Sequence, residues 1–154
     1  MIKMRKIILG FATVVFILGA CGGDKNPVAA NHDRMTYDYN DPNVMDDNEI
    51  ILPHTTVIVQ GEIIGIDEAV SNIFASRISS KEDQKYESIA FEETNVFRIE
   101  SEDGEGYIVL TNDLDTWDEG DLITVTGTFE GINDSTFFPL IKAGKMTEFS
   151  SDEP

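Results

Sequence analysis

Cysteine occurs once in the 154 residues, at Cys21, so no disulfide framework within the chain can staple the fold. Histidine occurs twice, at His32 and His54, both ahead of the first strong strand pattern. The body of the chain therefore has no histidine to activate a serine or to join a second one around zinc. No glycine-rich phosphate loop is present, and neither a cofactor nor a resident metal is implied by the residue types. Basic residues are scarce as well: 11 Lys and Arg stand against 29 Asp and Glu, a net charge of −18. Three of the basic residues, Lys3, Arg5 and Lys6, precede Cys21, so the chain from Cys21 onward carries 8 basic and 29 acidic residues, −21. Such a surface repels phosphates and anionic headgroups, which argues against nucleic acid as a partner and tolerates cations or a basic protein. With 29 carboxylates, any two meet by chance, so a pair alone is no argument for glycoside hydrolysis.

Long apolar runs are equally rare. The one that stands out is residues 7–18, IILGFATVVFIL, 12 residues following a positive start at Lys3, Arg5 and Lys6. It suits the apolar region of an export signal and is short for about 30 Å of hydrocarbon. It closes on Leu18-Gly19-Ala20-Cys21, which resembles the bacterial lipobox. That resemblance covers residues 1–21 and implies a signal peptide over 1–20, recognised by its peptidase through Leu18, Gly19 and Ala20. Cys21 then carries lipid and becomes the new N-terminus, which holds the protein at the extracytoplasmic face of the cell membrane. The competing readings are an ordinary secretory leader and an uncleaved anchor. Lipid on Cys21 also accounts for a thiol that otherwise has no partner.

From Cys21 to residue 51 the sequence is rich in Asn, Asp, Gly and Pro and poor in Leu, Ile and Phe, the composition of a flexible tether. Tyr37, Tyr39 and Met45 are the side chains through which it could instead dock. Asp38, Asn40, Asp46 and Glu49 fall at positions 1, 3, 9 and 12 of a calcium loop, but Pro42 and Asn43 occupy places that need an oxygen ligand and a glycine.

The globular part is expected over 52–149, with 150–154 as a tail. Residues 56–66 are dense in β-branched side chains with Gly61 between them, and read as the strongest strand. Residues 67–78 place Val70, Ile73, Phe74 and Ile78 at helical spacing after an acidic start, which predicts a short amphipathic helix. Further strands are expected over 88–101, 107–111, 121–129 and 137–146. A tight turn at 102–106 joins the second and third, and Pro139 marks an edge or a bulge. Asp113, Asp115, Asp118, Glu119 and Asp121 surround Trp117 in a connector that would hold a hard cation weakly or cap a strand entry. Trp117, with Tyr107, is the candidate aromatic for facing a ligand; a barrel-end core place suits Trp117 as well.

Gln60-Gly61-Glu62-Ile63-Ile64, Glu119-Gly120-Asp121-Leu122-Ile123-Thr124-Val125-Thr126-Gly127 and Phe138-Pro139-Leu140-Ile141-Lys142-Ala143 resemble an OB-fold, over residues 55–147. The resemblance implies a mainly β domain, a small five-stranded OB-like barrel with a short helical insert; a general β-sandwich is the alternative. The chain departs from many such folds in having only residues 113–119 where a helix often packs. OB-folds bind oligonucleotides or oligosaccharides with basic and aromatic residues, and the basic residues are few here. The reading is a noncatalytic binding or accessory module of the cell envelope that meets a protein or a glycan. The alternative is a small glycan-active hydrolase working through carboxylates.

Overall fold

Alternation of β-branched and polar residues makes a strand whose one face is buried, and in the computed structural model that strand is far longer than its strongest pattern. The structure describes residues 26–36, 50–80, 85–112 and 116–149. Two short elements come first, β1 (Val28–Ala29) and α1 (His32–Met35), then β2 (Thr56–Ser80), β3 (Lys85–Glu100), β4 (Gly106–Thr111), β5 (Leu122–Asn133) and β6 (Pro139–Glu148). Each of the five expected strands overlaps one of β2 to β6, with ends that differ by one or two residues at 101, 121 and 137–138.

The helix expected over 67–78 is not formed; those residues continue β2. Its backbone groups are satisfied by β3, with Asp67 opposite Val96, Ile73 opposite Phe91 and Arg77 opposite Glu87. The register shifts between Asp67 and Val70, where Ala69 has a φ of 53° and donates its N–H to Asn95 Oδ1 at 2.8 Å. The bulge lies just before Val70, and Val70 and Ile73 both pack against the outer core cluster from an extended backbone, without a helical turn. β-branched residues favour the extended backbone once a partner strand is present. The only helix among the described residues is the four-residue α1.

The sheet order is β1-β2-β3-β4-β6-β5, and β5 returns to β2. Residues 56–62 of β2 face residues 128–122 of β5, numbers rising on one strand as they fall on the other. β3 and β4 form the expected hairpin around Gly104, whose φ is 82° and whose N–H bonds the Ser101 carbonyl. The fold is thus mainly β, and its sheet closes partly in a ring rather than in a complete barrel. Closure brings backbones into contact at two glycines. A Cβ on Gly61 would lie 2.5 Å from the Glu100 carbonyl oxygen, and one on Gly127 would meet that of Lys142.

The sheet buries side chains on both of its faces. Inside the ring, Val57, Ile63, Phe97, Ile99, Val125 and Phe129 form the main core. On the outer face Val96, Ile108, Leu110 and Leu140 are covered by the far part of the β2–β3 hairpin, through Ala75, Val70, Ile73 and Phe91. A straight strand of 25 residues would run to about 80 Å. Bending the hairpin back hides its apolar side and that of β4 and β6 at once.

The segment expected as a tether over 21–51 is part of the fold at both of its described stretches. Val28 and Ala29 pair with Val57 and Ile58, and the Ala30 N–H reaches the Ile58 carbonyl at 2.7 Å. Asn31 caps α1 by accepting from the Arg34 N–H at 3.0 Å. Met35 is only 5% exposed and Ile51 4%, both within the main core, and the Ile51 N–H bonds the Arg34 carbonyl. One methionine, one isoleucine and two small apolar side chains, Val28 and Ala30, suffice for this when a strand edge and an open core are there to receive them. Tyr37, Tyr39, Met45 and the calcium-like spacing of Asp38, Asn40, Asp46 and Glu49 lie outside the described residues, as do residues 1–25, including Cys21, and the tail 150–154.

Candidate ligand site around Trp117

Trp117 sits in the connector between β4 and β5, just before the strand entry that the Glu119-Gly120-Asp121 pattern marks. Gly120 takes a φ of 96°, and its N–H bonds the Ile63 carbonyl at 2.7 Å while the Ile63 N–H bonds the Asp121 carbonyl at 2.9 Å. An ordinary side chain is strained in that backbone, which explains the glycine. Asp121 Oδ2 accepts from the Asp118 N–H at 2.8 Å and closes the turn. Phe149, just after β6, donates its N–H to the Leu122 carbonyl at 2.8 Å. Between these two ends lies a cavity of about 400 Å³ lined by Thr116, Trp117, Gly120, Asp121, Leu122, Glu148 and Phe149. Its walls combine three large apolar side chains with two carboxylates.

The half-buried Trp117 ring packs against the main core and also lines this cavity. Its indole Nε1 is buried and makes no hydrogen bond. An unpaired N–H of this kind costs about 1–3 kcal/mol relative to one with a partner. Of the surrounding carboxylates, Asp121 lines the cavity and Asp118 and Glu119 are exposed beside it; Asp113 and Asp115 lie outside the described residues. Among the described residues, no three His, Cys, Asp or Glu side chains are placed to hold a metal ion.

Tyr107 is not ligand-facing. It is 3% exposed and belongs to the main core, because it lies on the inward side of β4 opposite Ile99. α1 covers it: the His32 ring meets Tyr107 edge-on at 6.2 Å and Phe138 at 6.4 Å, and His32 Nδ1 lies 3.3 Å from a Glu105 carboxylate oxygen. Burial first, then the negative charge of Glu105, pushes the Tyr107 phenol up from 10 to about 12, while a hydrogen bond with the His32 backbone partly opposes them. The folded chain therefore holds the phenolic proton more tightly than the unfolded chain. The stability linked to it is complete below pH 10 and is lost as pH rises through about 12, by roughly 3 kcal/mol in all. Thermal unfolding measured from pH 9 to 12 should show this fall, and Tyr107→Phe should flatten it relative to the parent.

The second histidine is engaged elsewhere. His54, with a φ of 71°, presents Nε2 to Arg77 Nη1 at 2.8 Å, and the same Nη1 is 3.4 Å from Glu130 Oε2. Arginine only donates, so Nε2 accepts and Nδ1 carries the ring hydrogen. Arg77 and Glu130 are both largely covered, and with His54 they tie the entry of β2 to its far part and to β5. No local pattern signals this trio, since its members come from three separate stretches of chain. Compared with known proteins, the chain matches no family model and no curated protein.

Proposed function

We propose that the protein is a lipoprotein of the cell envelope, anchored through Cys21 at the extracytoplasmic face of the membrane, whose domain is a noncatalytic binding module. The observation that carries the binding reading is the cavity at Trp117, in which an aromatic wall with Leu122 and Phe149 meets Asp121 and Glu148. Carboxylates accept hydrogen bonds and repel anions, while apolar walls suit the C–H faces of a ring. A neutral or amino sugar matches both demands; an acidic sugar or a nucleotide does not. The net charge of −18 favours the same choice. The second reading, a carboxylate-dependent glycan hydrolase, draws on Asp121 and Glu148 lining one cavity.

The chain has one tryptophan, so its emission reports on this cavity alone. Titration of the chain from residue 22 onward with neutral and amino oligosaccharides should give a saturable change in that emission, weakened by Asp121→Asn and by Glu148→Gln, with the sugar recovered uncut. No saturable change with any of them removes the binding reading, and a cleaved product replaces it with the hydrolase. In the producing cells, Cys21→Ala should leave the membrane fraction or accumulate as the uncleaved precursor; normal processing with membrane retention would sink the anchor.

A further inference from the structure

Phe137 is 73% exposed, the most exposed large apolar side chain among those described, and Phe74 is 47% exposed. Both belong to one small region of the surface. Asn133, at the end of β5 and only 3% exposed, donates from Nδ2 to the Phe74 carbonyl at 3.1 Å, and its own carbonyl accepts from the Phe137 N–H at 2.9 Å. Its Oδ1 accepts from the Ser135 N–H, the Thr136 N–H and the Thr136 hydroxyl at 2.8–3.2 Å. The next residue, Asp134, bonds the Phe74 carbonyl through its N–H and accepts from the Ser76 and Ser88 hydroxyls on β2 and β3. The β5–β6 turn is thus pinned to the β2–β3 hairpin from both of its first residues.

That pinning holds Phe137 in the left-handed backbone region, at a φ of 60°, which a bulky side chain rarely adopts. The two consecutive phenylalanines then separate. Phe138 packs on the outer core cluster, and Phe137 stands in solvent. A strained backbone that presents an aromatic ring to water, held by a buried polar side chain, is a preorganised contact: little freedom is left to lose when something binds it. On the hairpin face that carries Phe74 lie its cross-strand neighbour Ala90 and, two residues along β3, Glu92 opposite Asn72. Asp134 supplies a second carboxylate at the patch, and the nearest arginine, Arg77, already faces Glu130.

We infer that Phe137 and Phe74 form a docking site for another protein, one that offers an apolar socket of aromatic size bordered by Lys or Arg. Charge decides the kind of partner. A second copy of a chain carrying −18 would bring like charges together, and anionic lipid would be repelled, whereas a basic border meets Asp134 and Glu92. Aromatic anchors in a rigid setting are the residues on which protein interfaces concentrate their affinity. The site is separate from the Trp117 cavity and does not depend on lipid at Cys21.

The test is a photocrosslinker of phenylalanine shape, Phe137→p-benzoylphenylalanine, in the full-length protein in its own cells, with Ile64→p-benzoylphenylalanine, 45% exposed in the parent, as control. Illumination should give one discrete adduct from position 137 and none of the same size from position 64. Mass spectrometry should place the bond on an apolar residue flanked by Lys or Arg in a different protein. Phe74→Ala and, separately, Glu92→Gln should lower the yield several-fold while thermal unfolding of each purified variant stays near that of the parent. An adduct between two copies, an adduct to lipid or glycan, no adduct, equal yield from position 64, or a yield indifferent to both substitutions in well-folded protein would each overturn the inference.

Discussion

A chain that begins at Ile50 should be less stable than one that begins at residue 22, by on the order of 3 kcal/mol. Removing the earlier residues takes away Met35, 5% exposed in the main core, and with it the contacts of Val28 and Ala30. Burying a methionine side chain is worth about 1.5–3 kcal/mol, and deleting one adds the cost of the space left behind. β1 and its hydrogen bonds from Ala30 to Ile58 and from Ile51 to Arg34 are lost with it. Ordering the segment's own backbone opposes these contacts, so the net loss is smaller than their sum. Urea unfolding followed by Trp117 emission is the measurement. Equal midpoints for the two chains would show that the segment adds nothing to stability. Met35→Ala in the longer chain should reproduce most of the loss.

Asn133→Ala should cost about 2–3 kcal/mol, more than any change on the exposed surface. The side chain makes four hydrogen bonds at the point where β5 turns toward β6, and alanine would leave the Phe74 carbonyl with one donor instead of two. Asn133→Asp keeps the acceptor toward Ser135 and Thr136, loses the donor toward Phe74 and puts a carboxylate against a carbonyl oxygen. It should therefore be no more stable than the alanine variant at neutral pH and recover in part as pH falls and the carboxyl takes up a proton. Chemical denaturation of the three proteins at pH 5 and pH 7 checks both statements. An aspartate variant that matches the parent at pH 7 would show that the bond to Phe74 contributes little.

Much of the sheet can be read locally because strand formation has a local signature. Val57, Val59 and Ile63 on one side of residues 56–66, the Glu102-Asp103-Gly104 turn, and Leu122-Ile123-Thr124-Val125 after Gly120 each state their conformation within a few residues. Gly61 and Gly127 are legible as places where a side chain is unwelcome, though not that carbonyls of Glu100 and Lys142 are the reason. Residues 67–78 misled for a definable cause. The spacing of Val70 and Ile73 suits a helix face, and only β3, a partner from elsewhere in the chain, holds these residues extended.

The candidate sites divide in the same way. Trp117 announces itself as the single tryptophan amid acidic residues, but Glu148 and Phe149, which complete its cavity, join it only when β6 pairs with β5. Tyr107 lies in a strand whose pattern is apolar on both sides, so its facing inward depends on α1 covering it. By itself, then, the sequence determined the class of the fold, most of its strands, the negative surface and the scarcity of catalytic groups, since these follow from composition and near-neighbour pattern. Tertiary structure alone decided that β2 runs on to Ser80, that Val28, Ala30 and Met35 join the core, and that Asn133 reaches a carbonyl 59 residues away to hold Phe137 in solvent. The physical reason is the same in each case: a backbone or side-chain group takes the partner that closure of the sheet brings to it, and nothing near it in the chain names that partner.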